Sequence, residues 1–272
     1  MIAALGKRKK KREDKMMNDT RDNNLDIPAR LVPMDMFEKT EWLRVDLAYA
    51  GPRSFCGIIY HTGARLWLHE DLAAITVLAA KSVHENHGLR LIIYDGLRSV
   101  TAQEAMLRTD IVRANPHWLE GDDRVLSSPG MGGHPRGMAV DVSLEDSTGC
   151  LLDMGTAFDE FPDGGAGPET NRAHRDYQGL STDIKNNRHL LSHAMTMAAQ
   201  KLALPLLPLP VEWWDFRFPA DIVRAHTPLD DRDLPPQMRM TDKFLNYPGP
   251  PDFPPDHFEH LKHRILTRIG LQ

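Results

Sequence analysis

Apolar positions along this chain follow two rhythms, one helical and one extended. From Leu68, LHEDLAAITVLAAKSVHENHG repeats apolar residues at helical spacing and stops at Gly88, which predicts a helix. LRLIIYD, residues 89–95, is a short β-branched run and predicts a buried strand. TAQEAMLRTDIVRA predicts a helix opened by a capping box, with Thr101 as N-cap and Glu104 three residues on; Pro116 ends it. A loop rich in Gly, Ser and Pro follows, then a second strand, MAVDVSL, residues 138–144. NNRHLLSHAMTMAAQKLAL, from Asn186, predicts a long helix stopped by Pro205. VEWWDFRF, residues 211–218, predicts a third strand, and DHFEHLKHRILTRIG a closing helix after the proline-rich stretch 226–256. Helices and strands do not alternate regularly. That predicts an α+β domain with a mostly antiparallel central sheet flanked by helices.

Composition changes this picture only at the start of the chain. Of 272 residues, 41% are hydrophobic and 26% charged, which is ordinary for a globular domain. Residues 1–24, MIAALGKRKKKREDKMMNDTRDNN, are polar and basic and are expected to be a flexible tail, with Met16 or Met17 as an alternative start. Residues 25–272 are expected to form a single domain with a proline-rich C-terminal segment. A net charge of −5 gives no reason to expect nucleic acid as the partner. No apolar run approaches the roughly 20 residues of a membrane helix, and no protein partner is evident. The basic run lacks the apolar segment of a secretory signal. The expected location is therefore cytoplasmic, or periplasmic if the start is misassigned. Cys56 and Cys150 are too few for a disulfide framework and are expected to be reduced and buried.

Candidate chemistry gathers in three places. In GGHPRGMAVDVSL, His134 sits in a glycine-flanked loop and Asp141 inside an apolar strand. A charge within a strand is costly unless paired or bound to metal, so the two residues are either a structural hydrogen-bonded pair or part of a zinc ligand set. In VEWWDFRF, strand alternation puts Glu212 and Asp215 on opposite faces. Either both are solvated strand ends, or a twist or bulge brings them to one cavity. In IIYDGLRSVTAQEAM, Arg98 follows a buried strand, as a surface residue on a turn or as a fixed guanidinium aimed at a reacting carbonyl oxygen. His189 with His193, and His257, His260 and His263, recur at helical spacing as solvated pairs or substitute ligands.

Together YDGLRS, GGHPRGMAVD, MGTAFD and EWWD resemble, in order and spacing, the D-alanyl-D-alanine dipeptidases of the zinc-dependent M15 peptidase group, which includes vancomycin-resistance dipeptidases. The likeness runs from about Tyr49 to Phe218. It implies the fold of that group, shared with Hedgehog domains and DD-peptidases. It implies that His134, Asp141 and Asp215 hold one Zn2+, that Glu212 is general base and acid, and that Arg98 stabilises the tetrahedral intermediate. Asp159 and Tyr49 then hold the free amino group of a small dipeptide. The implied function is hydrolysis of D-Ala-D-Ala or a related D-amino-acid dipeptide in peptidoglycan metabolism. The alternatives are an LD- or DD-carboxypeptidase, or a non-catalytic binding domain with a degenerate metal site.

The sequence departs from the family pattern at Asp215, where the family has histidine, and at Leu97, Ser99 and Gly133. Asp215 carries the most consequence. Carboxylate oxygen binds zinc, but an oxygen-rich site also admits manganese or iron, and two carboxylates neutralise a divalent cation and weaken its acidifying power.

Overall fold

The structure, a computed structural model, describes residues 27–120, 124–162 and 165–271. The expected N-terminal tail lies outside the described residues. The chain builds a five-stranded sheet in the order β2 (Leu43–Val45), β4 (Arg90–Asp95), β5 (Ala139–Glu145), β7 (Asp215–Arg217) and β6 (Leu207–Pro208). β2 and β4 run parallel, and the other neighbours are antiparallel. A separate antiparallel pair joins β1 (Leu31–Pro33) to β3 (Trp67–His69). The fold class is thus the α+β arrangement expected, with a mixed sheet.

The three long helices are α1 (Glu70–His87), α4 (Thr182–Lys201) and α6 (Pro255–Arg268), with the short α5 (Ala220–Arg224) between the last two in the chain. α1 packs against α4, α6 and β4. Its sequence specifies both ends. Glu70 and Asp71 lie in the first turn, where acids complement the helix dipole, and Gly88 closes the helix in the left-handed conformation. β4 alternates as a strand buried on both faces: Leu91 and Ile93 enter the main core, while Ile92 and Tyr94 enter a smaller cluster with Ala48.

Two expected elements differ. α2 (Val100–Leu107) is capped by Ser99, whose Oγ accepts from the Ala102 N–H at 3.1 Å. Thr101 already lies inside the first turn, and its hydroxyl donates to Asp230 Oδ1 at 3.1 Å. The helix ends at Leu107 and restarts as α3 (Asp110–Ala114), because the intervening Thr109 is extended. The second difference is VEWWDFRF. Only Asp215–Arg217 is strand, and residues 211–214 form a turn. Indole packing explains it. Trp213 donates through Nε1 to Thr156 Oγ1 at 2.8 Å, and Trp214 packs edge-on against Phe158 at 5.5 Å. A continuous strand would send the two rings to opposite faces.

The proline-rich stretch has little regular structure, but it is organised by a buried cation. Arg239 is fully buried and donates to the carbonyls of Leu234, Phe244, Leu245 and Tyr247. Cys56 is buried as expected, whereas Cys150 is exposed; both are free thiols. Among the described residues no helix is long and apolar enough to cross a membrane.

Candidate active site

β4, β5 and β7 each contribute an aspartate at one level of the sheet. Asp95 pairs with Asp141, and Asp141 with Asp215. Regular pairing from Ile93 would set Tyr94 against Asp141. A bulge between Ile93 and Asp95 inserts one extra residue and brings Asp95 there instead. Like charges facing one another across strands repel, so this row of buried carboxylates needs compensating partners, either guanidinium groups or donors that help hold a metal ion.

His134 supplies the first candidate. It opens a 3-10 turn, His134–Arg136, closed by Gly137 at φ 63°. Its Nδ1 donates to the Gly96 carbonyl at 2.8 Å, which puts the ring proton on Nδ1 and leaves the Nε2 lone pair facing the acids. Nε2 lies 3.6 Å from Asp141 Oδ2 and 3.4 Å from Asp215 Oδ2. A Cβ on Gly137 would meet Leu31 Cδ2 at 2.6 Å and the His69 nitrogen at 3.2 Å, in a backbone conformation that L side chains resist. Gly137→Ala is therefore expected to lower stability by about 2 kcal/mol or more. Urea denaturation checks this, and an unchanged midpoint would show that the turn relaxes freely.

Arg98 supplies the second. Its Nε and Nη2 both reach Asp95 Oδ2, at 2.9 and 2.8 Å, and its guanidinium lies over the Tyr49 ring at 4.9 Å. Tyr60 donates to the other Asp95 oxygen at 2.8 Å. Arg217 supplies the third. It grips Asp215 with two donors, Nε to Oδ1 at 2.7 Å and Nη2 to Oδ2.

These groups surround one cavity of about 430 Å³, open solvent at its mouth included. Tyr49, Arg98, His134, Asp141, Asp159, Glu212, Asp215 and Arg217 all line it. The turn before β7, and not a strand, lets Glu212 and Asp215 share it. Asp159 follows Phe158 in the MGTAFD loop with φ 57°, a left-handed conformation that aspartate tolerates better than most residues. Its Oδ2 accepts from the Tyr49 hydroxyl at 2.7 Å. Neither the helical pair His189 and His193 nor the C-terminal histidines line the cavity.

Burial dominates the electrostatics. It pushes the Glu212 carboxyl up to about 8, with the Asp215 charge adding to the effect. It pushes Asp159 up to about 7, against the opposing pull of Arg98 and the Tyr49 hydrogen bond. Asp141 is raised well above the usual carboxylate range by burial and by Asp215. Burial alone would raise Asp215 too, but the Arg217 guanidinium outweighs it and holds that carboxyl below its ordinary value.

The donor set fits a divalent cation. Asp141 Oδ1 is buried and has no hydrogen-bond partner among the described residues. Two overlapping groups, Asp95–His134–Asp141 and Asp141–Glu212–Asp215, each bring their donor atoms within 4.8 Å of one another. An orphaned carboxylate oxygen, a fixed imidazole lone pair and a second carboxylate are what a metal site requires.

A buried histidine and carboxylate cluster of this kind is what a metal-dependent hydrolase uses, and the chain belongs to the D-Ala-D-Ala dipeptidase family of M15 peptidases, whose sequence profile matches residues 30–232. The D-alanyl-D-alanine dipeptidase of Escherichia coli strain K12 is 34% identical to it over 178 residues, covering 65% of this chain and 79% of that protein. M15 peptidases are metal-dependent.

Sequence reasoning missed two residues of the site. Asp95 ends the apolar run LRLIIYD, and the cost of a charge in a buried strand, applied above to Asp141, applies equally to it. Arg217 stands two residues after Asp215, so strand alternation places both on one face.

Proposed function

We propose that this protein is a dipeptidase that cleaves D-Ala-D-Ala, or a closely related D-amino-acid dipeptide, in peptidoglycan metabolism. His134, Asp141 and Asp215 would hold one Zn2+ per chain, and the carboxylate-rich set also accommodates Mn2+ or Fe2+. The metal supplies Lewis-acid polarisation at the bond to be cleaved. Glu212 takes a proton from the attacking water and delivers it to the leaving amine nitrogen. Arg98 faces the carbonyl oxygen, where negative charge develops. Asp159, aligned by Tyr49, holds the substrate ammonium.

The observation that carries this reading is Asp159. A buried carboxylate, held by a buried tyrosine on the wall of the cavity that contains the metal-type cluster, suits a ligand whose cationic end lies close to the cleaved bond. A dipeptide has that shape. The test is D-alanine release by protein stripped with chelator and then given zinc, manganese or iron separately. Release from D-Ala-D-Ala, with N-acetyl-D-Ala-D-Ala resistant, is expected. Fast cleavage of the acetylated substrate would point to a carboxypeptidase, and no release with any metal would remove the dipeptidase reading.

Asp159 also sets a pH dependence. It grips an ammonium only when ionised, and its carboxyl is raised to about 7. KM for D-Ala-D-Ala should therefore fall as pH rises from about 6 towards 8, where the substrate amine itself begins to lose its proton. Asp159→Asn should raise KM by about tenfold or more, the loss of one charge-assisted hydrogen bond, and flatten its pH dependence below 7. A steep pH dependence that persists in the variant would assign the effect to another group.

A further inference from the structure

We propose that Arg217 and Asp215 act as one electrically neutral metal-binding unit, so that the guanidinium preserves the positive charge of the bound cation. This rests on the metal-binding reading of the site. Asp141, Asp159, Glu212 and Asp215 line the cavity, and the guanidinium groups facing them are Arg98 and Arg217. Arg98 is committed to Asp95, where two of its nitrogens end on one oxygen. Arg217 is committed to Asp215, one donor to each carboxylate oxygen, and makes no other ion pair among the described residues.

The arrangement is built into the strand. Asp215 and Arg217 are alternate residues of β7, and the backbone of Arg217 is paired on both sides, with Ala139 of β5 and Leu207 of β6. Each carboxylate oxygen has two lone pairs. Asp215 Oδ2 can therefore accept from Arg217 and still face His134 Nε2, 3.4 Å away. Asp141 and Asp215 alone would cancel both charges of a divalent ion. With Arg217 included, the ion and its surroundings keep a net charge of +1, the value a single aspartate with neutral partners would give.

This makes an ordered prediction. A unit charge about 5 Å from a divalent ion changes its binding roughly tenfold even at the dielectric constant of water. Zinc affinity of chelator-stripped protein, measured by competition with a chromogenic chelator, should follow net charge at positions 215 and 217. Arg217→Gln binds zinc at least tenfold tighter than wild type. Asp215→His, with Arg217 retained, binds it at least tenfold weaker. The double variant Asp215→His/Arg217→Gln returns to near the wild-type value, and Arg217→Lys, which keeps the charge, stays there throughout. If Asp215→His does not fold, Asp215→Asn with and without Arg217→Gln gives the same comparison: zinc binding should tighten about tenfold when the guanidinium is removed. A guanidinium that merely fixes the Asp215 rotamer gives the opposite sign, with weaker zinc binding in Arg217→Gln, and that result overturns the inference. Equal affinities in Asp215→His and its double variant overturn it too. Wild-type protein that binds no zinc, manganese or iron removes the inference together with the metal reading beneath it.

Discussion

Glu212→Gln is expected to lower turnover of D-Ala-D-Ala by at least about 10²-fold, the lower end of what a positioned general base contributes, with KM and folding little changed. Glutamine keeps the shape of the side chain and removes only its proton chemistry. Glu212 is buried, enters the cavity from the turn that precedes β7, and has its carboxyl raised to about 8 by burial and by Asp215. A proton affinity close to neutrality suits a group that must first accept a proton and then return it. Steady-state kinetics on the metal-loaded variant settle the point. Normal turnover would take Glu212 out of the mechanism, and if no catalysis is found with either protein the non-catalytic binding domain gains support.

Arg98→Met is expected to be the most damaging substitution in the molecule. Arg98 is the main cation against Asp95 and lies 3.6 Å from Asp141 Oδ2. Removing it leaves buried carboxylates facing one another across β4 and β5 with their charge uncompensated. Losing one partner of a buried ion pair costs about 3–5 kcal/mol, so chelator-treated Arg98→Met should unfold at much lower denaturant than wild type. Where enough folded protein remains, turnover should fall by about 10²–10³-fold, as when one donor to a developing oxyanion is removed. Arg98→Lys separates the two effects. It keeps the charge, so most of the stability should return, but it loses the planar fork over Tyr49, so turnover should stay low. Full recovery of turnover in the lysine variant would show that position 98 needs charge alone.

Much of this was legible in the residues. α1, β4, β5, α4 and α6 follow from periodicity and stop signals, because each is long or strongly apolar. The seven residues that the family resemblance assigned to the site all line one cavity, because the acids and the histidine sit in segments whose other positions leave a polar group no cheap alternative, whereas the helical histidines lie elsewhere. The failures were local contests. In VEWWDFRF, β-propensity predicted a strand, but indole packing against Thr156 and Phe158 made a turn of the first half. At Thr101 the capping box was present as letters, yet Ser99, two residues earlier, already had the extended backbone of a cap. Arg217 went unnoticed because alternation makes it a partner of Asp215 only where the strand is real, and the strand begins at Asp215 itself.

The bulge in β4 has a consequence for how this site can change. The extra residue between Ile93 and Asp95 sets Asp95 opposite Asp141, and the next carbonyl, Gly96, is the one that fixes the proton on His134. Both placements are counted in residues along the strand. If the bulge were ironed out at constant length, Tyr94 would face Asp141, Asp95 would move on to Val140, and the Gly96 carbonyl would be carried away from the imidazole. Lineages of such a protein can therefore exchange apolar residues between 91 and 94 while keeping the one-residue offset that seats Asp95 and Gly96. An irregularity in a strand, ordinarily an incidental trait, is here under the same constraint as the acids it aligns.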